Sequence, residues 1–143
     1  MPDIRVAQTD AEVAACYPVM AQLRPHIDES LFVAQVRTQQ AQGYLLAALH
    51  DEGRIRAVAG YRYYHNLVSG HVLYVDDLVT DENQRSKGYG DRLFEWLVLQ
   101  AKSRGCDTFE LDSGVQRHGA HRFYLLHRMD ISSYHFRLRL KPG

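Results

Sequence analysis

Apolar and polar positions change period several times along this chain, and each change marks an element. Ile4 and Val6 alternate with polar neighbours and predict a short strand, after which Thr9 or Asp10 caps a helix through Val13, Ala14 and Tyr17. Pro18 and Pro25 break or kink the next stretch. Leu31, Phe32, Gln35 and Val36 recur at helical spacing within 28–42, and Gly43 is placed to end that helix. The stretches 44–49 and 55–64, joined by Asp51-Glu52-Gly53, read as a β-hairpin, and 71–80 as a third strand of the meander. From Gly88 onward Leu93, Phe94, Leu97, Val98 and Ala101 form one helical stripe that ends near Arg104-Gly105. A strand over 108–111, a helix over 119–127 and a last strand over 131–140 complete the pattern. In that last strand Phe136, Leu138 and Leu140 alternate with Arg137 and Arg139.

The predicted order is βααβββαβαβ. An antiparallel meander followed by strand–helix–strand units implies an α/β (α+β) fold, with a mixed, mostly antiparallel central sheet and helices on both faces. No linker, repeat or low-complexity tract interrupts the 143 residues, so the expectation is one domain over 1–143.

Composition narrows the function classes. Hydrophobic residues at 45% and charged residues at 24% are the balance of a globular chain. Lys plus Arg and Asp plus Glu both total 17, which leaves no overall basic field for nucleic acid or an anionic membrane. The two cysteines, Cys16 and Cys106, show no disulfide or zinc spacing, so a reducing cytoplasm is expected. There is no signal-like apolar core and no apolar run near the ~18 residues that span a bilayer.

The most informative stretch runs from Asp77 to Gly90, where a strand passes into a helix through Arg85-Ser86-Lys87-Gly88-Tyr89-Gly90. Glycines at 88 and 90 let backbone amides approach an anion at the positive end of a helix dipole, with Arg85, Lys87 and Arg92 as countercharges. Two glycines alone serve equally well as a plain cap. The pattern is neither a Walker loop nor a dinucleotide fingerprint, because Gly-Lys-Ser/Thr and Gly-x-Gly-x-x-Gly are both absent.

Arg85-x-x-Gly88-x-Gly90 after Leu78-x-Thr80 closely resembles the coenzyme A loop of the GNAT superfamily of N-acetyltransferases, whose element order also fits nearly the whole chain. The resemblance implies that amides from Arg85 to Gly90 hold the pyrophosphate of acetyl-CoA. It also implies that the backbone of Leu78, Val79 and Thr80 pairs with the pantetheine amides as an added strand would. Arg117-x-Gly119-Ala120-His121-Arg122-Phe123-Tyr124 resembles the family's Asn-x-x-Ala-x-x-x-Tyr helix, with Arg117 where Asn is frequent. Arg117 and Tyr124 are thereby placed beside the coenzyme, and Tyr124 near its sulfur.

Acetyl transfer to an amine needs a base, a polarised carbonyl and a proton donor. An amine of pKa ~10.4 is neutral in only about one part in a few thousand at pH 7. Asp76 and Asp77 are the candidate bases, one expected on each face of the strand by alternation; Asp76 shares a face with Leu78 and Thr80 unless a bulge intervenes. A solvated or salt-bridged acidic pair is the competing account. Tyr124 is the candidate acid, and the resemblance assigns carbonyl polarisation to an amide near Val79. Eight histidines include His118, His121 and His127 around the last helix, without a zincin or Cys-set spacing, so no metal is expected. Tyr61, Tyr63 and Tyr64 suit sheet packing or an amine pocket.

The expected activity is direct transfer of an acetyl group to a primary amine of a small molecule or peptide. A non-catalytic acyl-CoA sensor is the alternative, neither nucleic acid nor membrane is an expected partner, and a homodimer is compatible with the family.

Overall fold

The computed structural model describes residues 1–142. The chain divides into two units, Met1–Leu111 and Asp112–Gly143.

The first unit is built on a five-stranded sheet. It contains β1 (Asp3–Val6), α1 (Asp10–Ala15), α2 (Tyr17–Leu23), α3 (Glu29–Gln40), β2 (Leu45–Asp51), β3 (Arg54–Asn66), β4 (Gly70–Thr80), a 3₁₀ turn (Glu82–Gln84), α4 (Tyr89–Ser103) and β5 (Thr108–Leu111). The strands lie in chain order, all antiparallel except the β4–β5 pair. α4 supplies the crossover that a parallel pair requires.

Apolar residues on both sides of the central strands explain the three-layer arrangement. Leu46, Ala48, Val58 and Val79 pack beneath α1–α3 with Val13, Met20, Phe32 and Val36. Ala47, Leu49, Ala57, Ala59 and Val75 pack beneath α4 with Leu93, Leu97 and Ala101. Successive β2 residues thus enter opposite cores, and the strand reads as a continuous apolar run because neither face meets water.

The fold class is the expected one, and two elements differ in detail. The front holds three helices rather than two. Cys16 closes α1, Tyr17 opens α2, and Pro18 falls in the first turn of α2, where its missing N–H costs nothing. Thr9 caps α1 through a reciprocal box with Glu12.

The second unit contains α5 (His118–Leu126), followed by a tail with no helix or strand among the described residues. Arg128 adopts a left-handed φ of 67°, and the Met129 amide donates back to the Tyr124 carbonyl at 3.1 Å, which ends the helix where glycine is the commoner residue. The strand expected over 131–140 is not formed. Those residues carry no regular secondary structure and are exposed, and a period-2 pattern becomes a strand only when an edge receives it.

Candidate functional site

The centre of the site is an irregularity in β4. Gly60 of β3 pairs with Asp77 and the next residue, Tyr61, pairs with Val75, so Asp76 is an extra residue. This β-bulge inverts the side-chain alternation. Val75 before it and Leu78 after it both face α4, while Val79 faces α1–α3.

The expectation of one acid on each face is therefore corrected, because the bulge turns both toward a shared cluster. Tyr44 donates its hydroxyl to Asp77 Oδ2 at 2.7 Å, and Arg24 donates from Nε to Asp77 Oδ1 at 2.9 Å. Arg24 Nη2 also reaches the Asp76 carbonyl at 2.9 Å, while Arg62 Nε donates to Asp76 Oδ2 at 2.8 Å. The Arg62 guanidinium lies 5.6 Å from the Tyr44 ring centroid. Both acids are salt-bridged, as the competing account held.

Burial pushes the Asp76 carboxyl above the usual range, opposed by its hydrogen bond and charge interaction with Arg62. Burial and then the Asp77 charge raise the Tyr44 phenol, which keeps it a donor. Gly60 makes the cluster possible, since a Cβ there would overlap the Tyr44 ring and hydroxyl.

Arg24, Tyr44 and Arg62 were not singled out by the sequence. Each is remote from the acidic pair in the chain, and only the sheet register brings them together. The one local signal was an arginine at 62 inside an aromatic strand. The tyrosines around it serve packing: Tyr61 is buried against Trp96 at 6.0 Å between centroids, and Arg104 lies 4.4 Å from the Tyr63 centroid.

Beyond the bulge, β4 is bare on one side. Its ladder with β5 covers only Val72–Val75, whereas its ladder with β3 continues to Thr80. Leu78, Val79 and Thr80 thus have no strand neighbour on the β5 side among the described residues.

The loop after β4 is held at its start by Gln22, which accepts from the Glu82 amide at 2.8 Å and donates to Asp81 at 3.2 Å. Arg85 is extended, Ser86 has a left-handed φ of 72° and Gly88 one of 81°, immediately before α4. Among the described residues, the amides from Ser86 to Gly90 donate to no backbone carbonyl. A Cβ on Gly88 would meet nothing within 4 Å, so the turn borders open space. These are the properties of a backbone anion nest. Arg85, Ser86 and Lys87 are exposed, whereas the Tyr89 side chain is buried and donates to Asp51 Oδ2 at 2.7 Å, leaving only its amide for a ligand.

In the second unit, Tyr124 is half-buried on α5. Burial raises its phenol, and the charge and hydrogen bond of Arg117 oppose that rise. His121 Nε2 lies 2.7 Å from the Gly114 carbonyl and His127 Nδ1 2.7 Å from that of Phe123, so both rings are engaged with backbone.

Comparison with known proteins gives a consistent result. The family model described as acetyltransferase (GNAT) family matches residues 8–127. An uncharacterized N-acetyltransferase of Bacillus subtilis strain 168, YhdJ, is 37% identical over 128 residues, covering 88% of this chain and 90% of its own. An aminoalkylphosphonate N-acetyltransferase of Salmonella typhimurium is 33% identical over 63 residues, covering 44% of this chain and 40% of its own. Among solved structures, the aminoglycoside N-acetyltransferase AAC(6')-Iy in complex with CoA superposes with a TM-score of 0.85 at 15% identity, covering 99% of this chain and 96% of that one. At that identity the likeness shows the fold.

Proposed function

The chain belongs to the acetyltransferase (GNAT) family and is an acyltransferase, and on that premise we propose that it moves an acetyl group directly from acetyl-CoA to a primary amine of a small molecule or peptide. The observation that carries this reading is the run of open amides from Ser86 to Gly90, beside the bare edge of Leu78–Thr80.

The nest and the α4 dipole hold the diphosphate, with Arg85 and Lys87 adding exposed countercharge. Backbone groups of Leu78, Val79 and Thr80 pair with the amides of the pantetheine arm. An amide near Val79 polarises the thioester carbonyl. Asp76 takes the amine proton, directly or through water; among the described residues its carboxylate bonds to the Arg62 side chain, whereas Asp77 holds both Arg24 and Tyr44 and acts as a positioning residue. Tyr124, beside Arg117, supplies a hydrogen bond to the departing sulfur.

No covalent acetyl-enzyme is involved. Cys16 is fully buried with its thiol pushed up to about 12, and burial also raises the Cys106 thiol, so neither has the low pKa of a reactive cysteine.

The test is thiol release from acetyl-CoA by the purified chain across an amine panel of polyamines, amino sugars, aminoglycosides, aminoalkylphosphonates and peptides. At least one amine class should drive release well above the rate without amine. Binding of acetyl-CoA without release across the whole panel would assign the chain to the sensor class instead. Gly88→Ala is expected to raise KM for acetyl-CoA about tenfold or more, because a side chain at φ 81° strains the turn by ~1–2 kcal/mol and crowds the nest. An unchanged KM would separate the loop from coenzyme binding.

The role of Asp76 has a pH signature. A base works as the carboxylate, so kcat/KM falls as pH drops through its pKa. Arg62 holds that pKa down against burial. Arg62→Ala should therefore move the acid limb of the profile to higher pH, and an unmoved limb would remove Asp76 from the mechanism.

A further inference from the structure

Arg62 carries more donors than its partner uses. It lies on the α1–α3 side of β3, because Tyr61 and Tyr63 on either side of it join the α4 core. Its Nε donates to Asp76 Oδ2 at 2.8 Å, and among the described residues neither Nη1 nor Nη2 donates to a group of the protein. Those two nitrogens are open to a ligand: the one buried side-chain polar atom without a partner among the described residues is Ser113 Oγ, and the Arg62 side chain keeps 25% of its surface exposed. A guanidinium is a planar fork that binds a carboxylate or phosphonate through paired donors. Here the outer edge of the fork stands open beside the carboxylate that takes the amine proton.

The charges of the cluster point the same way. Asp77 is met by Arg24 at 2.9 Å and Asp76 by Arg62 at 2.8 Å, so the cluster is balanced before an acceptor arrives. At neutral pH an alkyl amine arrives mostly as its ammonium. A simple amine therefore adds one positive charge beside two guanidinium groups, and a polyamine adds several. Like charges this close in a half-buried site oppose binding. An acceptor that brings its own anion restores the balance, with the ammonium on Asp76 and the anion on the Nη edge of Arg62. Because Nε of the same guanidinium already touches Asp76, those two groups of the acceptor stand only a few bonds apart.

We propose that the acceptor is a small primary amine bearing a carboxylate or phosphonate a few bonds away, and that the Nη edge of Arg62 binds this anion. The inference rests on the acetyl-transfer reading and narrows it. Arg24 suits the anion less, since its Nε is already engaged with the Asp77 carboxylate and its Nη2 with the Asp76 carbonyl. Arg62 thereby has two duties, holding Asp76 as a carboxylate and selecting the acceptor.

Thiol release from acetyl-CoA by the full chain is measured with matched acceptors: β-alanine against β-alaninamide, aminoethylphosphonate against its dimethyl ester, and a diamine of similar length. In the wild-type chain kcat/KM should favour the acid of at least one pair by about tenfold or more, and in Arg62→Gln that preference should be lost, since a charge-assisted hydrogen bond goes with the guanidinium. The ratio within a pair cancels whatever the substitution does through Asp76, so an Arg62 that served only to position that carboxylate would lower both members alike. The two arms tell carboxylate from phosphonate. Should Arg62→Gln not fold, the wild-type comparison alone decides. Uncharged partners or the diamine driving release as well as the acids do, or a preference that survives Arg62→Gln, would overturn the inference and leave acetyl transfer in place. Binding of acetyl-CoA with no release from these or any other amines would remove acetyl transfer itself, and the inference with it.

Discussion

Tyr124→Phe is expected to lower kcat by about 10²-fold while leaving acetyl-CoA affinity unchanged, since general acid or hydrogen-bond assistance typically contributes 10²–10⁴-fold. The phenylalanine keeps the ring that fills a half-buried position on α5 and loses only the hydroxyl. Moving a proton from an ordinary phenol to a thiolate is uphill by about 2 kcal/mol, and burial of Tyr124 makes it more so. A hydrogen bond to the departing sulfur is accordingly a better account than full transfer. Steady-state kinetics with coenzyme binding by calorimetry separates kcat from affinity. Equal turnover in the two proteins would leave the tyrosine a packing residue.

Gly60→Ala should have a comparably large effect through stability. The added methyl would overlap the Tyr44 ring, and Tyr44 cannot retreat without giving up its hydrogen bond to Asp77. Overpacking of this kind costs about 1–3 kcal/mol, and exposing the buried end of Asp77 adds to it. Urea denaturation of Gly60→Ala, Tyr44→Leu and the double variant measures the conflict, because the alanine should cost little once the ring is gone. Additive losses would show that the two residues do not compete for the same space.

The loop and the sheet were legible in the sequence for different reasons. Gly88 and Gly90 between a β pattern and a helical stripe announce a turn at a helix start, and at Gly88 the left-handed backbone is one that few other residues tolerate. The strands of the meander were visible because β2 and β3 are apolar on both faces. The bulge at Asp76 left no such trace. Alternation counts residues on one strand, whereas a bulge is a mismatch between two, and only the pairing of Gly60 and Tyr61 reveals it. Arg24 and Arg62 escaped for the same reason: an exposed arginine and one bridging a buried acid look alike in a one-dimensional pattern. Pro18 looks like a breaker in the sequence, although the first turn of a helix accepts it. The tail carries the alternation of a strand, but a pattern on one segment does not supply the neighbouring edge that a strand needs.

The bare side of β4 also limits what its sequence has to conserve. A ligand that reads main-chain groups is indifferent to the side chains at Leu78, Val79 and Thr80, which answer only to the packing around them. If the proposed pairing with the coenzyme holds, substitutions among residues of similar bulk can accumulate there with little effect on its binding, and proline, which takes away the amide itself, is the change this stretch is least able to absorb.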